Sequence, residues 1–293
     1  MSSKLKDYFN IIIIICFASI IALGGSHNSM TYNGYPILFF CLSASFLVHW
    51  IIFIPSFLAK TEKFYDITGT LAYLITLYLA SVLTSYSSGA SLEPRTLIII
   101  GMVSFWALRL GIFLFIRVLK VGEDRRFREA KKSFSKYLVW WTMSALWVFL
   151  TTANALTLII NNKKLVNQPI FYLGLLIWFI GILFEIIADE QKRRFRLNEK
   201  NRGKFISSGL WSISRHPNYF GEIILWIGIA IISLPTLSGF QYVTLISPLF
   251  IYLLLTRISG VNLLEESSDK KWGDLQEYEQ YKRETPVLVP FIK

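Results

Sequence analysis

Apolar residues run along this chain in long uninterrupted blocks, and polar residues are confined to the joints between them. Eight blocks stand out, at about 9–25, 36–55, 67–86, 96–117, 137–160, 169–188, 219–235 and 241–257. A helix needs about 20 apolar residues to cross the hydrocarbon core of a bilayer. The pattern therefore predicts an all-α, polytopic transmembrane helical bundle of about eight spanning helices. The last two blocks are short and meet at a tight turn near Pro235, so a hairpin there would leave seven. The first block follows Lys4 and Lys6, as in a signal peptide, but no clear small-residue cleavage site follows it. It is read as a retained helix. No repeat, low-complexity tract or soluble domain interrupts the pattern, so 1–293 reads as a single membrane domain. The stretch 258–293 mixes both charges with aromatic residues and reads as an amphipathic cap.

The joints alternate in charge. Lys4 and Lys6 precede the first block, the next joint has no Lys or Arg, Lys60 and Lys63 follow, and then Arg95 alone. The joint 117–136 holds Arg117, Lys120, Arg125, Arg126, Arg128, Lys131, Lys132 and Lys136, and a second basic joint covers 189–217. Basic loops collect on the cytoplasmic side, so both termini are expected there, in a bacterial inner membrane or the endoplasmic reticulum. The chain is 54% hydrophobic and carries a net charge of +11. In a soluble protein that charge would suggest nucleic acid; here side-sorting accounts for it, and no nucleic-acid partner is expected. Cys16 and Cys41 fall in apolar blocks, so neither a disulfide nor a metal site is expected.

Ionisable groups inside membrane segments cost several kcal/mol unless paired or hydrated, which singles out His49, Arg109, Glu185 and Glu222. Each could carry function or tie two helices together; packing is the plainer reading for His49. Glu185 and Asp189 are one turn apart and share a helix face. Arg193 and Arg196 carry that face from acidic to basic. Such a stripe suits a nucleotide, with guanidiniums on phosphates and carboxylates on ribose hydroxyls. An ordinary basic flank with snorkelling side chains gives the same pattern. In "SRHPNYFGE" (214–222), Pro217 suits the first turn of a helix. Asn218 and Glu222 then project together, with Tyr219 between them and Arg215 and His216 just outside. Gly221 admits a close neighbour, helix or ligand. The "GEDRRFREAKK" joint (122–132) reads as bracing more readily than as a cofactor contact. No GxGxxG, Walker loop, HExxH or GxSxG is present.

The motifs "KFYDITGTLAY" (63–73), "GEDRRF" (122–127), "ADEQKRRF" (188–195), "GKFISSGLWSISRHPNYFGEI" (203–223) and "YKRETPVLVPFI" (281–292) occur in order. On them the chain resembles the integral-membrane reductases with a steroid 5-alpha-reductase C-terminal domain, from about residue 60 onward. The resemblance implies NADPH as cofactor, held within about 117–293, and a lipid-soluble small-molecule substrate arriving from the bilayer. It carries cofactor roles to Asp189, Arg196, Asn218 and Glu222, less directly to Glu185, and loosely to Arg257. Arg215, His216 and Tyr219 match the "RHxNY" of sterol double-bond reductases. The Gln-Glu pair and the Tyr that polarise the ketone in the animal steroid enzymes have no clear match here. Glu62, Tyr65 and Tyr73 are the candidates for the acid. The expected reaction is reduction of a carbon–carbon double bond in a lipid or steroid-like molecule. Isoprenylcysteine and phospholipid methyltransferases share "RHPxYxG" and a later Glu-Glu, here Glu265-Glu266; on that reading the pocket would hold S-adenosylmethionine. A membrane scaffold without activity is a third reading.

Overall fold

A computed structural model describes residues 3–121, 123–164, 168–258 and 260–292, without the side chains of Val121 and Arg125. Arg125 of the basic joint thus lies outside the described side chains. Every apolar block forms a helix: α1 Ser3–Gly25, α2 Ile37–Leu58, α3 Tyr65–Ser88, α4 Pro94–Val121, α5 Phe134–Asn161, α6 Gln168–Leu197, α7 Pro217–Ser233 and α8 Ile246–Leu253. Pro94 and Pro217 open their helices, where a missing N–H costs nothing. Gly89 and Asn162 close α3 and α5 in the left-handed conformation, at φ 63° and 41°. Among the described residues, eight helical stretches are long and apolar enough to span. The protein is thus a polytopic transmembrane helical bundle. The turn at Pro235 is a short 3-10 segment, Leu234–Thr236. The eighth stretch is composite: a 3-10 turn (Gly239–Leu245), α8, a π turn (Leu254–Ile258) and α9 Val261–Trp272, with α10 Gln276–Glu284 beyond it.

The chain forms two compact units, Met1–Val166 with Ser233–Ser247, and Asn167–Ile232 with Pro248–Lys293. In the first, α5 is the central post, buried along nearly its whole length from Trp141 to Asn161. Lipid tails are as apolar as leucine, so close packing and hydrogen bonds hold such helices together. Ser45 Oγ donates to the Ala145 carbonyl at 2.8 Å, and Trp50 Nε1 donates to Thr142 Oγ1 at 3.1 Å. His49 Nδ1 lies 2.7 Å from the Ser45 carbonyl and must donate to it, which leaves Nε2 to accept from Ser144 Oγ at 3.0 Å. His49 thus ties α2 to α5. Arg109 lies over the Phe113 ring one turn further along α4.

The two poles of this unit differ in charge. At one, Ser135 Oγ donates to Asp7, Tyr137 to the Thr61 carbonyl, and Lys131 to Glu62. These contacts gather the joints that carry Lys4, Lys6, Lys60, Lys63 and the basic residues of 126–136. At the other pole, Asn162 Oδ1 accepts from Glu93 N, and Gln241 bonds Asn161 and the His27 carbonyl. There Thr31–Tyr32 and Tyr35–Pro36 form an unanticipated two-stranded hairpin, β1 and β2. Its turn is Asn33-Gly34, both at positive φ (50° and 81°), the combination that a two-residue hairpin favours.

In the second unit α6 and α7 pack antiparallel along a glycine seam. A Cβ on Gly174 would sit 2.7 Å from the Gly228 carbonyl, and one on Gly181 would sit 2.7 Å from the Gly221 carbonyl. Two glycines seven residues apart on each helix thus bring the backbones into contact. The tail is docked on the 203–216 stretch. Trp272 Nε1 donates to the Gly203 carbonyl at 2.6 Å, Tyr281 Oη to Trp211 O at 2.6 Å, and Ser214 Oγ to Leu288 O at 2.7 Å. It is an ordered amphipathic cap.

Candidate functional site

The glycine seam positions the acids. Gly221 lies so close to α6 that a Cβ there would be 2.6 Å from Glu185 N. Gly221 therefore receives a helix, and Glu222, the next residue, enters α7 at the closest approach. Glu185, Asp189 and Glu222 are all buried, at 2%, 8% and 6% exposure. Asn218, one turn before Glu222, donates from Nδ2 to Asp189 Oδ1 at 3.2 Å. Trp211 closes this end of α6 by donating from Nε1 to the Ala188 carbonyl at 3.0 Å. Three buried acids on one helix pair are costly in an apolar setting, which makes this seam the candidate site.

The neighbouring Arg-His pair is organised by an acid from the tail. Glu265 of α9 bridges both: Oε2 meets Arg215 Nη1 at 2.7 Å, and Oε1 meets His216 Nε2 at 2.7 Å. The His216 ring stacks on Tyr219, centroids 5.6 Å apart and planes 11° apart. Burial pulls His216 below the usual imidazole range, Glu265 opposes the pull, and Lys192 and Arg215 add to it. Sequence reading did not place Glu265 in the reductase site; its only signal there was the Glu-Glu pair of the rival family.

The remaining cofactor candidates stand apart from this cluster. Arg193 is exposed and bonded to Glu190, at 2.6 and 2.7 Å. Arg196 is exposed one turn past Lys192, on the Asp189 side of α6, and Arg257 is exposed on the π turn.

In the first unit the three acid candidates have three environments. Glu62 is buried, accepts from Asp124 N at 2.7 Å, and is ion-paired with Lys131 at 2.5 Å. It fastens the 122–132 joint, the bracing expected of that stretch. Tyr65 donates to the Trp140 carbonyl at 2.9 Å. Tyr73 instead lines a small, partly open crevice of about 20 Å³, room for one water-sized group, between α3, α4 and α5. Asp66, Thr70, Trp106 and Trp147 share its walls. Trp106 and Trp147 each meet the Tyr73 ring edge-on, at 5.3 and 6.3 Å. The indole Nε1 of Trp147 is buried and has no hydrogen-bond partner among the described residues.

The fold is that of a multi-pass membrane protein with a buried polar cluster on one helix pair. The chain belongs to the family described as a protein of unknown function, DUF1295, whose model matches residues 52–285. It is similar to 3-oxo-5-alpha-steroid 4-dehydrogenase 1 of Mus musculus, 29% identical over 127 residues, 43% of this chain and 44% of the relative. It is also similar to Delta(14)-sterol reductase of Arabidopsis thaliana, 30% identical over 90 residues, 27% and 24% of the two chains. A probable O-methyltransferase, ustE, of Ustilaginoidea virens is 33% identical over 73 residues, 25% of each chain. The chain thus spans less than half the length of these curated relatives.

Proposed function

We propose that the protein is an NADPH-dependent membrane reductase of a carbon–carbon double bond in a lipid or steroid-like substrate. One observation carries the reading: Glu185, Asp189 and Glu222 are buried along the α6–α7 seam, and half-buried Asn218 bonds Asp189 across it. The residues fit a nicotinamide dinucleotide. Asp189, Asn218 and Glu222 suit ribose hydroxyls and amide groups, and Arg196 suits phosphate. Buried Arg215 Nε and His216 Nδ1 have no hydrogen-bond partner among the described residues, and a ligand would match them. The names of the steroid and sterol relatives point the same way. The cofactor, when bound, supplies hydride to the electron-poor carbon of the double bond.

Tyr73 is the candidate acid that the first unit offers. The Tyr73–Trp106–Trp147 crevice has room for a single carbonyl oxygen rather than for the lipid itself. Tyr73 Oη and Trp147 Nε1 are donors for a conjugated carbonyl oxygen, which they would polarise. Solvent supplies the second proton. Glu62 and Tyr65 hold structure in this scheme. The basic pole of the first unit would face the cytoplasm.

Thermal unfolding of the detergent-purified protein tests the cofactor. Ligand at 100 times its dissociation constant adds about 2.7 kcal/mol. NADPH is expected to raise the midpoint, and Asn218→Ala and Glu222→Ala to abolish the rise. The join of Glu265 to His216 favours a second reading, because it unites the two motifs that methyltransferases share. Stabilisation by S-adenosylmethionine and not by NADPH would establish that reading instead. No shift with either would leave the scaffold.

A further inference from the structure

His216 carries a buried nitrogen whose chemistry is set by its neighbours. Glu265 is acceptor-only when ionised, so the 2.7 Å contact requires the proton on Nε2. Burial keeps the ring neutral, and a neutral imidazole has one N–H. Nδ1 is therefore a bare lone pair, an acceptor, in a residue only 5% exposed, with no partner among the described residues. A buried polar atom left unmatched costs about 1–3 kcal/mol. The adjoining Arg215 presents the opposite deficit, because its Nε–H is a buried donor without a hydrogen-bond partner. Fixing the tail needs neither group. The tail is already secured by Arg215 N to the Pro286 carbonyl at 2.8 Å, by Ser214 to Leu288, and by Tyr281 to Trp211.

One acceptor and one donor on successive residues, bridged by one carboxylate, complement a group that carries a donor and an acceptor on a single carbon. A primary carboxamide is such a group. We propose that His216 Nδ1, held bare by Glu265, accepts from the carboxamide N–H of bound NADPH, with Arg215 Nε available to its oxygen. This rests on the reductase reading and assigns the Arg-His box to the nicotinamide end of the cofactor. The Glu265 bond holds Nε2 on its own side, and Tyr219 stacks on the ring face.

Two substitutions separate the atoms. In His216→Asn the amide occupies the place of Nδ1; in His216→Gln it occupies the place of Nε2, which keeps the Glu265 contact and removes the acceptor. Each is titrated with NADPH and with its 3-acetylpyridine analogue, which has a methyl ketone where the carboxamide stands and so has no N–H to give. His216→Gln is expected to weaken NADPH binding about threefold to tenfold, the worth of one neutral hydrogen bond. It should leave analogue binding unchanged, and His216→Asn should bind NADPH within about twofold of the unaltered protein. Equal binding of NADPH by His216→Gln and the unaltered protein overturns the proposal. So does an equal loss for both dinucleotides, or a loss in His216→Asn as large as in His216→Gln. Should neither variant fold, ¹⁵N-histidine labelling of the unaltered protein decides: the His216 Nδ1 resonance moves upfield on NADPH addition but not with the analogue, and an unmoved resonance overturns the proposal. An unaltered protein that binds no NADPH at all overturns the reductase reading itself, a result distinct from each of these.

Discussion

At the scale of single residues, an acid's sequence position says little about its use. Glu62 sits in a joint beside a tyrosine, where a catalytic carboxylate would also sit, yet it is buried against Lys131 and Asp124 N. Removing one member of a buried ion pair leaves a charge uncompensated and costs about 3–5 kcal/mol. Glu62→Ala should therefore lower the unfolding midpoint in detergent, and a variant as stable as the parent would refute the brace. The tyrosines separate by a different readout. Tyr73→Phe should lower NADPH consumption, with a 3-oxo-4-ene steroid as probe, about a hundredfold at unchanged NADPH affinity, whereas Tyr65→Phe should cost stability and spare turnover. His216 links stability to pH. Its folded pKa is lowered by burial, while the unfolded side chain titrates near 6.5, so at low pH the unfolded chain binds the extra proton. The contribution is fully present above about pH 6.5 and is lost as pH falls through the folded value. Unfolding midpoints from pH 8 to 5 should fall more steeply for the parent than for His216→Gln; parallel curves would remove His216 from the titration. The shared faces of Glu185 with Asp189 and of Asn218 with Glu222 were readable from helical spacing, but the bond from Asn218 across to Asp189 was not. Glu265 and Lys131 were not, because their partners lie 49 and 69 residues away and nothing local states which loop a distant charge meets.

At the scale of elements, hydropathy gives each spanning helix, and chemistry at the ends moves its limits. The sixth block ends near 188, but α6 runs on to Leu197, since "EQKRRFRL" forms a helix in water as readily as "GILFEI" does in lipid. The Asn33-Gly34 hairpin was legible as a turn, but two residues a side leave no alternation to read as strand. The π turn at Leu254–Ile258 has no sequence sign at all. The seam is where a local pattern has the largest consequence. Gly181→Ala would put a Cβ 2.5 Å from Leu225 N, whereas Gly101→Ala meets nothing within 4 Å. The first should separate α6 from α7, lowering the unfolding midpoint and removing NADPH stabilisation together. The second should be neutral or stabilising by up to about 1 kcal/mol, the helix preference of Ala over Gly. Similar behaviour of the two would mean that the seam does not hold the site.

At the scale of the whole molecule, the charge pattern and the contacts of the first unit agree for a physical reason. Basic joints alternate with neutral ones along the sequence because successive helices run in opposite directions. Contacts as distant in sequence as Asp7–Ser135 and Glu62–Lys131 then gather the basic joints at one pole, while Asn162–Glu93 and Gln241–His27 gather the others at the opposite pole. The division into two units was not readable, because 233–247 returns to the first unit through contacts that its own sequence does not announce. Alternation fixes relative sidedness; the positive-inside rule supplies the absolute direction. Exposed Lys132 stands at the basic pole, and exposed Ser91 and Lys164 stand at the other. In a Cys16→Ser background, with Cys41 buried, a membrane-impermeant maleimide applied to intact cells should label Ser91→Cys and Lys164→Cys but reach Lys132→Cys only after the membrane is opened. The reverse order would place the basic pole of the first unit outside, against the charge rule.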